Sequence, residues 1–375
     1  MICSYLEALN IMKTHIVGIT HSESVPLFHA SNRIASEPIY ASFELPKTPL
    51  SLRDGYAVSL KNSSTIPLEA AYFVSTGDAL LDTTDAVIAL EEAIVHDDLL
   101  FIPEHIKKGS NIKHQGEDIA LDECLIHPFE TLHPYKMTAL SAQGISRIGV
   151  LKKPRIAILS IGNALTSLGK PLGEGASYNS NAMSIGARCI ELGATISAIE
   201  TLKEDGMAIF ERLNALKQDA DVIITTGGLS RGDVLAGLLH QKPFQTLFYE
   251  VAITPAKPSS LSLLERTPIL HLPGLPLGSI LGFELLGVPL LRALQHKVSL
   301  LPPSYTQTNG TFFSCREKCT SAIPGFSDGE TFTCAEHYEA GRLNVLSHCN
   351  GYARIENISK VHKGQSVAFV SFSKD

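Results

Sequence analysis

Between Arg155 and Gln295 the chain alternates wholly apolar runs with amphipathic ones, and this alternation restricts the fold more than any other feature. "RIAILSIG" (155–162) leads into "NAMSIGARCIELGA", which ends at Gly193. "TISAIETL" follows, and then "EDGMAIFERLNALKQDA", with Ile209, Leu213 and Leu216 on one helical face. "DVIITTGG" and "TPILHLPG" are two further apolar runs, and "GSILGFELLGVPLLRALQ" reads as a helix of low polarity. Strand and helix alternating at this spacing predict βαβ units around a parallel sheet. Runs that are apolar at every position fit strands buried on both faces.

The flanking regions have a different texture. "MICSYLEALNIMKTHI" reads as an amphipathic helix with Ile2, Tyr5, Leu6, Leu9 and Met12 on one face, and helical periodicity continues to about residue 35. Short β-type runs such as "AVIAL" and "LLFIP" occupy roughly 58–133. After "LLPPS" a Thr/Phe/Gly-rich tail carries short alternating runs such as "SVAFVSF". At 375 residues the chain exceeds one ordinary core. The expected class is α/β. A parallel-sheet domain covers 153–297, an N-terminal region (1–152) carries helical segments and the inserted β domain, and a small β domain spans 298–375.

Charge narrows the partners. With 31 Lys and Arg against 38 Asp and Glu, the net charge of −7 offers nucleic acid and anionic lipid no general attraction. No apolar run is read as approaching the ~20 residues of a membrane span, and the amino terminus lacks a basic leader, so a cytoplasmic location is expected. Seven cysteines, an odd number, do not suggest a disulfide framework. Cys315, Cys319, Cys334 and His337 have a spacing similar to a structural zinc set; the alternative is four separate residues in a β-rich segment.

In an open parallel sheet, ligands bind beyond the carboxyl ends of the strands. Three of those ends are rich in Gly, Ser and Pro: "SIGNALTSLGKPLGEG", "TTGGLSRGD" and "LPGLPLGS". Glycine lets backbone N–H groups approach an anion closely. Lys257 in "TPAKP" is a cation held between prolines. No Gly-x-Ser-x-Gly elbow occurs, Cys189 falls in a helical apolar pattern, and His271 in "ILHLPG" reads as a core histidine.

Six motifs now carry a resemblance. "RDGYAV" (53–58), "STGDAL" (75–80), "GEDIA" (116–120), "TTGGLSRGD" (225–233), "TPAKP" (254–258) and "LPGLP" (272–276) stand in the order and approximate spacing of the molybdopterin molybdenumtransferases, the MoeA and gephyrin E-domain type. The resemblance implies a MogA-like, molybdopterin-binding central domain. It also implies a homodimer with its active site between subunits and a possible association with other cofactor-biosynthesis proteins. The implied reaction uses Mg²⁺ to cleave adenylylated molybdopterin, inserting molybdate and releasing AMP.

On that resemblance Asp54, Asp118, Asp233 and Lys257 are catalytic candidates, and Asp54, Asp118 and Asp205 are candidate metal ligands. Substrate contacts are expected from Ser51, Thr76, Gly162, Asn181, Thr226, Gly227, Gly228, Ser230, Arg231, Pro273 and Gly274. Other positions depart from the family. Asn163 and Ala164 stand where the first loop carries acids, Asn179 and Leu235 replace acids, Leu275 replaces asparagine, and Arg231 replaces a small apolar residue. The anion-binding framework is kept and the cation-binding half is thinned. Three readings are open: a molybdenum insertase with a divergent site, a catalytically degenerate paralogue that binds a pterin nucleotide or scaffolds assembly, and an enzyme using the fold for another nucleotide.

Overall fold

The computed structural model describes residues 2–60, 63–230 and 232–372. It divides into one unit formed by residues up to 21 together with 151 onward, and a second formed by 22–150. This differs from the sequence-based boundary at 152, because the first helix packs with the larger unit.

That helix, Tyr5–His15, starts at a capping box in which Ser4 accepts from the Glu7 N–H and Glu7 accepts from the Ser4 N–H. Its buried stripe is Tyr5, Ala8, Leu9 and Met12, within the same core as Leu290, Leu291 and Leu294. Ile2 and Leu6, expected on that face, are exposed. Helix also stops earlier than the periodicity suggests: Ser22–Pro26 is a strand and Leu27–Ala30 a single 3₁₀ turn.

The larger unit is built on a six-stranded sheet in the order Thr195–Leu202, Arg155–Ile161, Val222–Thr226, Thr267–Leu272, Ser260–Leu264, Phe244–Tyr249. The first four strands are parallel, as expected, and the last two are antiparallel additions the apolar pattern did not reveal. Burial explains the composition: Val222–Thr226 is buried at all five positions, whereas the edge strand Thr195–Leu202 alternates. Two apolar layers flank the sheet. One holds Ile185, Cys189, Leu281 and Leu285, and the other holds Ile209, Leu213, Leu216 and Leu235.

Pro276–Leu294 is a helix long and apolar enough to cross a membrane, which corrects the sequence reading; 83% of its most apolar window is buried inside the fold. Within it, Phe283–Gly287 forms a π turn.

The tail closes on itself. Strands Tyr305–Asn309, Thr320–Ser327, Thr331–Cys334, Gly351–Glu356 and Ser366–Ser371 pair in a ring, a five-stranded barrel around Phe332, Ile355, Val367 and Phe369. Closure removes free edges, which a 75-residue β segment would otherwise expose. A short strand from the other half of the unit, Ile253–Thr254, joins the ring by pairing in parallel with Thr320–Ser321.

The 22–150 unit is made of small antiparallel sheets. Gly55–Val58 lies between Tyr72–Val74 and Ala86–Ala89, and Thr65–Pro67, Leu99–Phe101 and Ile94–His96 form another set. Gly55 is required there: a Cβ would sit 2.0 Å from the Ile88 carbonyl oxygen.

Candidate active site

Strands Arg155–Ile161, Val222–Thr226 and Thr267–Leu272 are adjacent and parallel, so the loops that follow them leave the same edge of the sheet. The loops then touch. Gly227, at φ +89°, presses on the first strand so closely that a Cβ would lie 2.3 Å from the Ile161 carbonyl oxygen. A Cβ on Gly274 would lie 3.3 Å from the Gly227 Cα. The Gly227 N–H donates to Leu272 at 3.0 Å, and Asn181 Nδ2 donates to the Gly274 carbonyl at 2.8 Å. Gly162, Asn181, Thr226, Gly227, Gly228, Pro273 and Gly274 are therefore gathered as the sequence predicted. The cradle is not plugged: Leu235 is fully buried beneath Gly228, and Leu275 is exposed at 57%.

Under the cradle runs a chain of neutral side chains. Thr226 Oγ1 donates to Ser160 Oγ at 3.0 Å, Ser160 Oγ donates to Asn179 Oδ1 at 3.0 Å, and Asn179 Nδ2 donates to Thr201 Oγ1 at 3.0 Å. Asn179 Oδ1 also accepts from the Ala182 N–H, capping helix Ser180–Glu191. Ser160 was not among the predicted residues; the signal was a lone hydroxyl at the carboxyl end of an apolar strand. Asn181 Oδ1 is buried and has no hydrogen-bond partner, so an acceptor waits beside the Gly274 loop.

The other predicted residues hold the loops in shape. Asn163 Oδ1 accepts from the Glu204 N–H at 3.1 Å, and Asp205 Oδ1 accepts from Ala208 at 2.9 Å, capping helix Gly206–Leu216. Asp233 Oδ2 accepts from the Ser230 N–H at 2.7 Å, closing the turn around Gly232. Arg231 lies outside the described residues. Lys257 Nζ stands 3.5 Å from Glu250, and its segment packs beside helix Pro276–Gly282, which follows the third loop; a Cβ on Gly278 would be 3.6 Å from the Pro255 carbonyl oxygen.

In the 22–150 unit two of the three motifs meet directly, and "GEDIA" is tied instead to Leu45, Pro46 and Lys113. Asp54 Oδ1 accepts from the Thr76 N–H at 2.6 Å; Ser51 exchanges backbone bonds with Gly77 and Asp78 and pairs with Ile112. The Ser51 hydroxyl is buried and donates to the Arg53 carbonyl. Asp118 forms an ion pair with Lys113 at 2.6 Å. Asp54 and Asp118 are exposed.

Two buried titratable groups lie near these elements. His271 is fully buried between Thr225 Oγ1 and Ser262 Oγ, each at 2.8 Å, and burial pushes its pKa down to about 3. It is the satisfied core histidine the sequence suggested. Glu284, in the π turn, pairs with Arg188 at 2.9 Å; burial raises its pKa, and the guanidinium opposes this.

Mg²⁺ takes oxygen ligands, usually including one or two carboxylates. In the larger unit Asn163 and Asn179 are uncharged, while Asp205 and Asp233 accept from backbone N–H groups. Among the described residues no three His, Cys, Asp or Glu side chains gather as a metal site. Among the described residues the zinc-like set does not form a metal-holding group, although Cys315 lies within electrostatic reach of Cys319 and Cys334; burial pushes Cys315 up to about 11 and Cys334 up to about 12.

A doubly flanked α/β sheet with touching glycine loops at its carboxyl edge is the architecture in which ligands bind beyond the strand ends. Residues 157–293 match the model described as a probable molybdopterin binding domain, and residues 3–144 match the MoeA N-terminal region, domains I and II. The chain belongs to the MoeA family of molybdopterin molybdenumtransferases. It is 28% identical over 309 residues to the molybdopterin molybdenumtransferase of Haemophilus influenzae, covering 76% of each chain. It is 23% identical to that of Staphylococcus aureus, over 94% of this chain and 91% of the relative. The molybdopterin biosynthesis MoeA protein of Pyrococcus horikoshii OT3 shares the fold with a TM-score of 0.85 at 20% identity, covering 99% of this chain and 100% of that one.

Proposed function

We propose that this chain works in molybdenum cofactor biosynthesis as a molybdopterin molybdenumtransferase, inserting molybdate into adenylylated molybdopterin with release of AMP. One observation carries the reading: three loops from one sheet edge are in contact through Gly227 and Gly274, beside a buried Asn181 oxygen that lacks a donor. Backbone and neutral groups so placed suit a phosphate and its attached hydroxyls or ring N–H groups. Lys257, on the segment beside the helix that follows the third loop, supplies positive charge for the oxyanion. Mg²⁺, when bound, supplies charge neutralisation, and the exposed carboxylates Asp54 and Asp118 are the residues proposed to meet it. We place the reaction in the cytoplasm and in a homodimer.

A degenerate, non-catalytic role is not favoured, since the loop geometry is intact and the relatives carry the transferase name. The test is AMP release from adenylylated molybdopterin by the purified protein. Release that depends on added molybdate is expected. None above background, with molybdate and Mg²⁺ in excess, refutes the assignment.

A further inference from the structure

We infer that the sheet formed by Thr65–Pro67, Leu99–Phe101 and Ile94–His96 is a docking face for another protein. Its occupant is a basic, apolar segment lying extended along Ile94–His96. The inference concerns a surface of the 22–150 unit and is independent of the function proposed above.

The register lines up the apolar residues. Ile94 pairs with Phe101 and His96 with Leu99, while Thr65 and Pro67 stand opposite Phe101 and Leu99 on the other side. Side chains two apart share a face, so Ile94, Leu99 and Phe101 lie together; they are 63%, 38% and 40% exposed. Leu100 and Ile66, of the opposite parity, are buried with Val58 and Ile88. The sheet is thus apolar on its solvent side as well as its inner side, where an outer face is ordinarily polar. Ile94–His96 is also an edge strand. Such edges are usually blunted by lysine, proline or a bulge; this one carries Ile, Val and His, all exposed.

Charge selects the occupant. Residues 63–106 contain nine Asp and Glu and no Lys or Arg, which makes this stretch more negative than the chain as a whole at −7. The acids crowd the ends of the sheet. Asp97 and Asp98 form the turn into Leu99–Phe101, Glu69 follows Pro67, Glu91 and Glu92 precede Ile94, and Glu104 follows Phe101; all are exposed. Ion pairs in this group are with histidines, His96–Asp97 at 2.9 Å and His105–Glu92 at 3.2 Å. A second copy of this face, or an anionic lipid, would set negative charge against negative charge. Lysines or arginines alternating with apolar side chains meet both the acidic ends and the apolar centre.

The test uses the full chain and, as probe, a peptide of about ten residues alternating Lys and Val, long enough to span a strand. A Glu–Val peptide of the same length is the comparison, and binding is read by fluorescence anisotropy. The Lys–Val peptide should bind and the Glu–Val peptide should not. Ile94→Thr keeps a β-branched residue on the strand and should weaken binding about tenfold. Asp97→Asn together with Asp98→Asn should weaken it about threefold to tenfold; asparagine suits the positive φ of both positions. Glu211→Lys, the same change of charge at an exposed position on helix Gly206–Leu216, should stay within about twofold. In the natural chain the amides of Ile94–His96 should exchange about tenfold more slowly with peptide bound, a readout that needs no variant to fold. Unchanged exchange, or binding that Ile94→Thr leaves intact or Glu211→Lys weakens as much, is attraction to net charge alone and overturns the inference. Binding of neither peptide also overturns it. So does self-association that Ile94→Thr abolishes without any peptide binding, which assigns the face to a second copy.

Discussion

Acidification should loosen the central sheet through one residue. His271 is enclosed between two hydroxyls with no exposed surface, and burial holds its pKa at about 3, whereas an unfolded histidine titrates near 6.5. The folded value is the lower one, so its contribution to stability is fully present above pH 6.5 and is lost as pH falls toward the folded value. Between pH 7 and pH 5 the unfolded chain takes up a proton that the native sheet refuses. At 1.36 kcal/mol per pH unit this removes about 2 kcal/mol, and any folded pKa below about 4 gives nearly the same figure.

The assay is urea-dependent hydrogen exchange of segments 221–226 and 267–272, which reports this sheet alone, at the two pH values. His271→Asn removes the titration and serves as the control. The natural protein should lose about 2 kcal/mol more than the variant over that interval. Equal losses would mean that His271 is charged or solvated in the folded chain, and the reasoning fails.

Other perturbations have defined outcomes. Arg188→Met should cost about 3–5 kcal/mol at pH 7, measured by chemical unfolding, because it strands the buried Glu284 carboxylate. Gly227→Ala should abolish AMP binding and lower the melting temperature, since both the φ of +89° and the 2.3 Å approach to Ile161 exclude a Cβ. Leu235→Asp, which restores a family acid, should destabilise by several kcal/mol because the position is fully buried. Leu275→Asn at the exposed position should stay within about 0.5 kcal/mol. Melting curves of the two variants make that comparison.

The parallel strands were legible because burial on both faces demands apolar residues at every position, as in "DVIITT". Phe244–Tyr249 and Ser260–Leu264 were not, because these strands carry polar residues among the apolar ones. Barrel closure was hidden for a related reason: pairing of Tyr305–Asn309 with Ser366–Ser371 joins residues some sixty positions apart. In the site, the meeting of the loops followed from strand order and glycine placement. The duties of Asp205 and Asp233 did not, because an acid at a helix start or turn suits a backbone N–H as well as a metal. Asn179 read as a lost charge, and only its bonds to Ser160 and Thr201 reveal a donor gained.

The strand Ile253–Thr254 belongs to two constructions at once. It is hydrogen-bonded into the barrel wall, while Ala252 and Val251 are tied to Cys3 and Lys257. The tail is thereby a buttress for the lysine: whatever grips or dislodges the barrel tugs on the cation beside the cradle, and a chain cut short near Lys297 would lose the footing of its own active site.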